Sequence, residues 1–324
     1  MTFITSTRAR TARAAALFTA LAAASACGSS TTSTSSGNQP ATTASPTPTT
    51  VAAPTTVAAP TTAAATAATA AANAPKAIIS LSATATEILF AIGAGKQVIA
   101  VDDQSNFPAE APKTDLSGFT PNVEAIAARK PDLVVISDDG AKLVDALGKL
   151  GIKTLLQTPA KTLDDTYQQI GELGTATGHS AEATKVAADI KTSLADIVAK
   201  SPKVSMRIYH EVDDTLYSAS SSSFIGQIYK LFGMENIADK ADKDATGFPQ
   251  LSPEYLVTAN PQVIFLADTK CCKQSAATLA ARPGWSDIDA VKKNKVIALD
   301  DDVASRWGPR IVDLARTIAT SLGA

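Results

Sequence analysis

The chain has 324 residues, with 29 Lys and Arg, 31 Asp and Glu, and a formal net charge of −2 at pH 7. This composition lacks the basic excess with which nucleic-acid-binding proteins neutralise phosphates, so that class of protein is excluded. The length suits two domains.

The N-terminal segment, residues 1–26, has the features of an export signal. Three arginines precede residue 14, and residues 14–24 form an uncharged apolar run. Such a run is too short to span a bilayer, which needs about 20 residues, but it fits a signal-peptide core. Residues 24–28 match a lipoprotein cleavage box, which predicts a lipid on Cys27 and anchoring on the outer face of the cell membrane. The alternative is a soluble export signal with an incidental cysteine.

The segment after Cys27 differs in composition from the rest of the chain. Residues 28–75 contain no Asp, Glu, Lys or Arg and consist almost entirely of Ala, Thr, Ser and Pro. A segment of this kind buries too little apolar surface to offset the entropy lost on ordering. We therefore predict a disordered tether over residues 27–75 and a folded part over residues 76–324, whose formal charge is 26 − 31 = −5.

Residues 76–179 are predicted to form the N-terminal lobe, in which strands alternate with helices. Thr84-Ala85-Thr86-Glu87 reads as a capping box, with Thr84 as N-cap. The alternation predicts a mostly parallel sheet covered by helices on both faces. The predicted strands are 77–81, 98–101, 133–136 and 152–156, and the predicted helices are 84–93, 121–130, 141–150 and 163–177.

A long helix is predicted next, and a second lobe follows it. Val186, Ile190, Leu194 and Ile197 fall on one helical stripe, and a proline ends the segment. We expect residues 180–202 to be a rigid connecting helix. The fold class is thus α/β, with two lobes, each a mostly parallel sheet flanked by helices, joined by one long helix. The C-terminal lobe, residues 203–324, has predicted strands 204–212, 263–267 and 296–299 and predicted helices 224–233, 254–259 and 309–322.

Two segments, one in each lobe, repeat the same pattern of a short helix, a proline and a buried strand. The sequence numbers of Glu124 and Glu254 differ by 254 − 124 = 130, and those of Pro131 and Pro261 differ by the same amount, 261 − 131 = 130. The helix dipole favours a carboxylate in the first turn by about 0.3–1 kcal/mol, which explains either glutamate alone. Matching positions in both lobes favour a further role, in which two exposed carboxylates dock paired basic residues of a partner.

Cys271 and Cys272 are adjacent, so within a lipidated chain they pair with each other or stay free. Outside the membrane, oxidation is the expected state. The preferred interpretation is a vicinal disulfide that makes a rigid turn after the strand ending at Asp268. The alternatives are a redox sensor and a metal contact.

The chain lacks the common catalytic motifs. It contains no H-E-x-x-H, no G-x-S-x-G and no phosphate loop. We therefore expect no enzyme, no catalytic residues, no resident metal and no cofactor. Carboxylate-only catalysis by the run 300–302 is the remaining alternative.

Ligand-facing side chains are expected in loops at the carboxyl ends of the strands. The segment 306–310 is the strongest candidate for ligand contact. It combines the flat ring of a tryptophan with two arginines, whose guanidinium groups can bind carboxylates through two parallel hydrogen bonds. Arg310 can instead pair with an acid near the start of the last helix. The predicted ligand-binding residues are Phe107, Phe119, Tyr209, His210, Phe248, Arg306, Trp307 and Arg310.

These patterns resemble the iron-siderophore and vitamin B12 class (class III) of substrate-binding proteins of ABC importers, and most of all the ferric-dicitrate and siderophore-binding lipoproteins of actinobacteria. The most specific segments are 79–87, 121–134 and 252–254. The resemblance implies a ligand held between the lobes. It also implies that Glu124 and Glu254 engage arginines of the membrane permease.

The resemblance leaves the ligand open among three classes. A ferric siderophore ranks first, because Arg306 and Arg310 suit an anionic chelate. Haem ranks second, with Tyr209 or His210 as axial ligand, and cobalamin third, because the first lobe supplies few aromatic side chains for its flat ring. We expect a monomer that binds a small metal chelate and ABC permease subunits. The alternative from another class is a cell-wall interaction protein without a transport role.

Overall fold

The structure, a computed structural model, describes residues 74–323. The predicted signal peptide, the lipidation site Cys27 and the tether up to residue 73 lie outside the described residues. Within residues 74–323, every helix is too short or too polar to cross a bilayer.

The first lobe, defined as residues 78–177, alternates strands and helices as the sequence predicted. Its elements are β1 Ile78–Leu81, α1 Ala83–Ala91, β2 Val98–Val101, α2 Val123–Ala127, β3 Leu133–Ile136, α3 Leu143–Gly148, β4 Lys153–Leu156 and α4 Leu163–Thr177.

Helix α5, Ser180–Lys200, follows the first lobe at the predicted position. The second lobe, defined as residues 207–321, then repeats the alternation. Its elements are β5 Arg207–Glu211, α6 Phe224–Leu231, β6 Glu235–Asn236, α7 Pro253–Ala259, β7 Val263–Leu266, α8 Ala276–Ala280, α9 Asp289–Lys292, β8 Val296–Ala298, α10 Asp301–Ser305 and α11 Ile311–Ser321.

The two sheets have the same topology. Their strand orders are β2-β1-β3-β4 and β6-β5-β7-β8, and every pair of neighbouring strands is parallel. Every residue of β1, β3 and β7 is buried, because helices cover both faces of a parallel sheet. This arrangement confirms the predicted fold class of two α/β lobes.

The two lobes share a continuous apolar core along one helical layer. Ile170 and Leu173 of α4, Ile190 and Leu194 of α5, and Ile318 of α11 belong to a single cluster of buried side chains. The predicted apolar stripe of α5 is therefore the face that packs on both neighbours. Burial of side chains of this kind contributes about 1.5–3 kcal/mol each before entropy is counted.

The start of α1 differs from the prediction. Ser82, not Thr84, is the N-cap, and its hydroxyl accepts a hydrogen bond from the Ala85 amide at 3.3 Å. Thr84 and Glu87 lie inside the helix and are buried. Glu87 is thus not part of a capping box, and its carboxylate has other partners.

The internal repeat is also visible in the backbone. Asn122 caps α2 and Ser252 caps α7, each through a hydrogen bond from the amide three residues later. Lys130 and Asn260, which precede the repeated prolines, both adopt positive φ angles of 52° and 47°. The two lobes therefore match in conformation as well as in sequence pattern.

Candidate functional site

The carboxyl edges of the two sheets face each other. The loop after β2 contacts the segment after β8, because the Asn106 amide donates to Asp302 Oδ2 at 3.0 Å and Arg306 donates to the Gln104 carbonyl at 2.9 Å. A second contact joins Gln227 of α6 to the Lys161 carbonyl, after β4. Parallel α/β sheets bind ligands at this edge, so the cleft between the lobes is the candidate site.

Phe119 projects from the first lobe at this edge, with 83% of its surface exposed. Gly118 fixes its position. A Cβ atom on Gly118 would lie 2.7 Å from the Leu81 carbonyl oxygen and 2.8 Å from Asp102 Oδ2, so only glycine allows the loop to press on the end of β1. Asp102 is itself buried, and burial raises the pKa of its carboxyl.

Phe248 has the matching position in the second lobe. It follows Gly247, whose φ of 89° suits glycine, and 51% of its surface is exposed. Tyr217, which forms a short backbone bridge with Gln250 close by, is 40% exposed. Sequence reasoning missed Tyr217, because a single tyrosine after a strand carries no distinguishing pattern.

The arginines predicted to meet the ligand are bound to Glu87 instead. Arg306 Nη1 lies 2.8 Å from Glu87 Oε1, and Arg310 donates to the same carboxylate through Nε at 3.0 Å and Nη2 at 2.5 Å. The Glu87 side chain is 1% exposed and those of Arg306 and Arg310 are 8% and 17% exposed. The predicted contact of Arg306 and Arg310 with a ligand stays a prediction, and in this structure both guanidiniums are bound by Glu87. The acid that pairs with Arg310 comes from the other lobe.

The segment 306–310 makes further contacts, one within its own lobe and two with the first lobe. Arg306 Nη2 donates to Asp302 Oδ1 at 2.8 Å. Trp307 is half-buried, and its Nε1–H donates to Gln169 Oε1 at 2.8 Å. The Arg310 guanidinium lies 4.4 Å from the centroid of the Phe107 ring, which is 44% exposed. Phe107 thus offers one ring face to Arg310 and keeps part of its surface accessible.

Tyr209 and His210 lie in the core of the second lobe and do not reach the cleft. Their exposed fractions are 0% and 1%, and His210 Nδ1 is 2.8 Å from the Tyr229 hydroxyl. Burial lowers the pKa of His210 to about 4, so the ring is neutral at pH 7. The proposed axial-ligand role for these two residues is therefore not supported by their positions.

A second buried glutamate lies at the end of β5. Glu211 is fully buried and forms a bidentate pair with Arg282, with two N–O distances of 2.7 Å. Burial and the neighbouring Glu211 carboxylate raise the pKa of Asp268 to about 8. Neither Asp268 oxygen has a hydrogen-bond partner among the described residues, which fits a protonated acid beside Glu211. Sequence reasoning missed this cluster, because its members are distant along the chain.

The turn that contains Cys271 and Cys272 follows β7, and hydrogen bonds to the Asp301 carboxylate stabilise it. The carboxylate accepts the amides of Thr269, Lys270 and Cys271 at 3.0, 2.8 and 3.1 Å. Cys271 is exposed and Cys272 half-buried, and both are free thiols. The predicted turn is present, and the predicted disulfide is not. Within residues 74–323, no group of three or more His, Cys, Asp or Glu side chains is arranged to hold a metal ion.

Glu124 and Glu254 are exposed in the first turns of α2 and α7. These helices precede β3 and β7, which occupy equivalent positions in the two sheets. A helix that leads into a parallel strand begins at the carboxyl edge of the sheet. Each lobe therefore carries one exposed carboxylate near the cleft.

Comparison with known proteins agrees with this architecture. The periplasmic binding protein family matches residues 78–303. YvrC, an uncharacterised ABC transporter substrate-binding lipoprotein of Bacillus subtilis, is 30% identical over 259 residues, which cover 76% of this chain and 80% of that protein. A vitamin B12-binding protein of Pectobacterium carotovorum is 31% identical over 258 residues, covering 77% and 89% of the two chains.

A solved structure shows the same fold. The periplasmic vitamin B12 binding protein BtuF of Vibrio cholerae superposes with a TM-score of 0.64 at 26% identity, covering 77% of this chain and 97% of that one. Because these matches cover both lobes from residue 78 to residue 303, the chain belongs to the periplasmic binding protein family and is the substrate-binding protein of an ABC transporter, not an enzyme.

Proposed function

We propose that this chain is an extracytoplasmic, lipid-anchored receptor that encloses a metal chelate between its lobes and delivers it to an ABC permease. The observation that carries the proposal is the pair of exposed phenylalanines, Phe119 and Phe248, one at the carboxyl edge of each sheet. Exposed aromatic side chains on opposite walls of a cleft are typical of a site for a flat or apolar ligand.

A corrinoid such as cobalamin is the first ligand to test. Four exposed aromatic side chains follow strand ends, namely Phe107, Phe119, Tyr217 and Phe248. Stacking on such rings recognises a flat ring system without charge. Relatives that carry the name vitamin B12-binding protein, at 31% identity, support the same choice.

A ferric siderophore is the second candidate. The sequence ranked it first because Arg306 and Arg310 offered contacts for an anionic chelate. Their pairing with Glu87 removes that reason, although the aromatic rings also suit a chelate with an apolar periphery. Haem falls behind both, because the side chains suggested as axial ligands, Tyr209 and His210, are buried.

Delivery to the permease is assigned to Glu124 and Glu254. Both are exposed, both lie in the first turn of a capped helix, and the two helices occupy equivalent positions in the two lobes. Arginines of a permease, spaced to match, would engage one carboxylate in each lobe. Exposed charges of this kind fix orientation and association rate more than affinity.

The first test is native mass spectrometry of the full chain purified from its own host. A retained mass equal to a corrinoid or a ferric siderophore supports the proposal. Titration of the purified chain with cyanocobalamin, a ferric hydroxamate and haem follows. A protein that binds none of these chelates refutes it.

The second test is uptake of the bound chelate in cells that carry Glu124→Lys and Glu254→Lys together. The double variant is expected to bind the chelate normally in solution and to lose transport. Glu182→Lys, at an exposed position in the first turn of α5, is the matched control and keeps transport. Normal uptake by the double variant would show that the two carboxylates do not dock the permease.

A further inference from the structure

Glu87 is the one carboxylate in the described residues that binds two arginines from the opposite lobe. Its Oε1 accepts from Arg306 and Arg310, and its Oε2 accepts from Arg310. The donors lie 219 and 223 residues away along the chain. Because all three side chains are buried or nearly so, solvent screens these charges weakly.

The charges of this cluster balance. Glu87 and Asp302 carry two negative charges, and Arg306 and Arg310 carry two positive charges. Each terminal nitrogen of Arg306 donates two hydrogen bonds. Nη1 donates to Glu87 and Asn106, and Nη2 donates to Asp302 and to the Gln104 carbonyl. The pKa of Arg310 is raised, since the bond to Glu87 outweighs the opposing effect of burial.

The cluster borders a cavity between helix α1, the loop after β2 and residues 309–310. The cavity, of about 250 Å³, is lined by Glu87, Phe107, Glu110 and Arg310, among others. Arg310 Nη1 makes no hydrogen bond within residues 74–323, and its guanidinium covers one face of Phe107. The Arg310 Nη1 donor thus lies beside the exposed Phe107 ring, and the Glu87 carboxylate neutralises the charge of the Arg310 guanidinium.

We propose that Glu87 is a specificity-determining residue: it binds Arg306 and Arg310 internally and so removes the positive charge that an anionic chelate needs in the cleft. The inference rests on the proposed function, because it concerns which chelates the same cleft accepts. Arginine is the side chain best suited to bind carboxylates in a bidentate manner. Glu87 takes two donors of Arg310 and one of Arg306, and Asp302 takes a second donor of Arg306. These internal carboxylates therefore compete with the carboxylates of a ligand.

The loops around the cleft add to this selection. Asp103, Asp138, Asp213 and Asp214 lie in loops that follow strands of both sheets. Lys270, which lies in the loop after β7, is bound to Asp300 and Asp302. The charged surroundings therefore repel anions, and chelates that are uncharged or cationic are the ones that the cleft accepts.

The test compares two chelates on the wild-type chain and on Glu87→Gln. The probes are cyanocobalamin, which is uncharged, and ferric dicitrate, which is anionic. The wild type is expected to bind cyanocobalamin and to bind ferric dicitrate at least tenfold more weakly. Glu87→Gln keeps the shape of the side chain, releases one positive charge, and is expected to strengthen ferric dicitrate binding by about tenfold or more, as one strong charged contact would.

Two further variants make the test specific. Glu110→Gln removes the same charge from the wall of the same cavity without releasing an arginine, so it is expected to strengthen ferric dicitrate binding much less than Glu87→Gln does. Asp302→Asn removes one of the two carboxylates that bind Arg306 and leaves the one from Glu87 in place, so it is expected to give a smaller gain. Circular dichroism and thermal unfolding establish that each variant is folded, and Asp302→Asn decides the outcome should Glu87→Gln fail to fold.

Three results overturn the inference. They are tight binding of ferric dicitrate by the wild type, no gain in a folded Glu87→Gln or Asp302→Asn variant, and an equal gain in Glu110→Gln. All three leave the proposed function standing, since cyanocobalamin binding is measured in the same experiment. A wild-type chain that binds neither this probe nor any other chelate refutes the proposed function instead.

Discussion

The two lobes share one topology but neutralise their buried glutamates differently. In the second lobe, Glu211 pairs with Arg282 of the same lobe. In the first lobe, Glu87 has no such local partner among the described residues and pairs with arginines of the second lobe. One scaffold thus carries an ion pair that stabilises a lobe and another that links the two lobes. Variants that break each pair in turn separate these two roles.

The largest effect is expected from removing the local partner. Arg282→Met leaves Glu211 buried without a counter-charge, beside a second acid, Asp268. Breaking a buried pair from one side costs about 3–5 kcal/mol, so urea unfolding should show a loss of that size. Arg316→Met, which removes the exposed pair with Asp313, is the control and should cost less than about 1 kcal/mol. Equal losses in both variants would contradict a structural role for the Glu211 pair.

A smaller and more local effect is expected from Glu87→Ala. Arg306 keeps Asp302 as a partner and Arg310 is partly accessible to water, so the loss should be about 1.5–3 kcal/mol, as for hydrogen bonds to charged groups. Amide hydrogen exchange should speed up around Asn106 and residues 300–310 and stay slow in β5. Faster exchange throughout β5 would mean that Glu87 stabilises the second lobe itself rather than the link between lobes.

The acid pair of the second lobe predicts a pH dependence. Because the pKa of Asp268 is raised to about 8 by burial and by Glu211, the folded state holds a proton that the unfolded state releases above about pH 4. Stability from this site is therefore complete at low pH, falls as the pH rises, and is fully lost once the pH has passed through the folded-state pKa of about 8.

Asp268→Asn mimics the protonated acid and should remove this dependence. The variant is expected to unfold several degrees higher than the wild type at pH 8, because one pKa unit is worth about 1.4 kcal/mol and each kcal/mol raises the Tm of a domain of this size by about 2–4 °C. At pH 4 the variant and the wild type should unfold at the same temperature. A gain of equal size at both pH values would show that Asp268 does not titrate in this range.

The fold was predictable from the sequence because its strands are short apolar runs with clear ends. The runs 133–136 and 263–266 are buried on every residue, and prolines two positions ahead of them mark their starts. The connecting helix begins at the predicted residue and ends just short of the predicted boundary, since its apolar stripe has the helical period. The short strand β6 was missed, because a pair of residues carries no periodicity.

The candidate site was predicted only in part. Its location followed from topology, and the exposed positions of Phe107, Phe119 and Phe248 agree with the loops expected at strand ends. The role of Glu87 was misread, because a Thr-x-x-Glu pattern satisfies the capping rule although Ser82 is the cap. Its true partners lie 219 and 223 residues away, and local pattern carries no information about contacts at that range.

The proposed function requires a ligand that contacts both walls of the cleft. Calorimetric titration of cyanocobalamin into the Phe119→Ala and Phe248→Ala variants tests this requirement most directly. Both side chains are exposed, so their truncation should change stability by less than about 0.5 kcal/mol. Each variant is expected to bind about tenfold or more weakly, since loss of one aromatic stacking contact and its buried area costs at least about 1.4 kcal/mol. Binding as tight as the wild type in both folded variants, to cyanocobalamin and to a ferric hydroxamate alike, would contradict a ligand held between the two lobes.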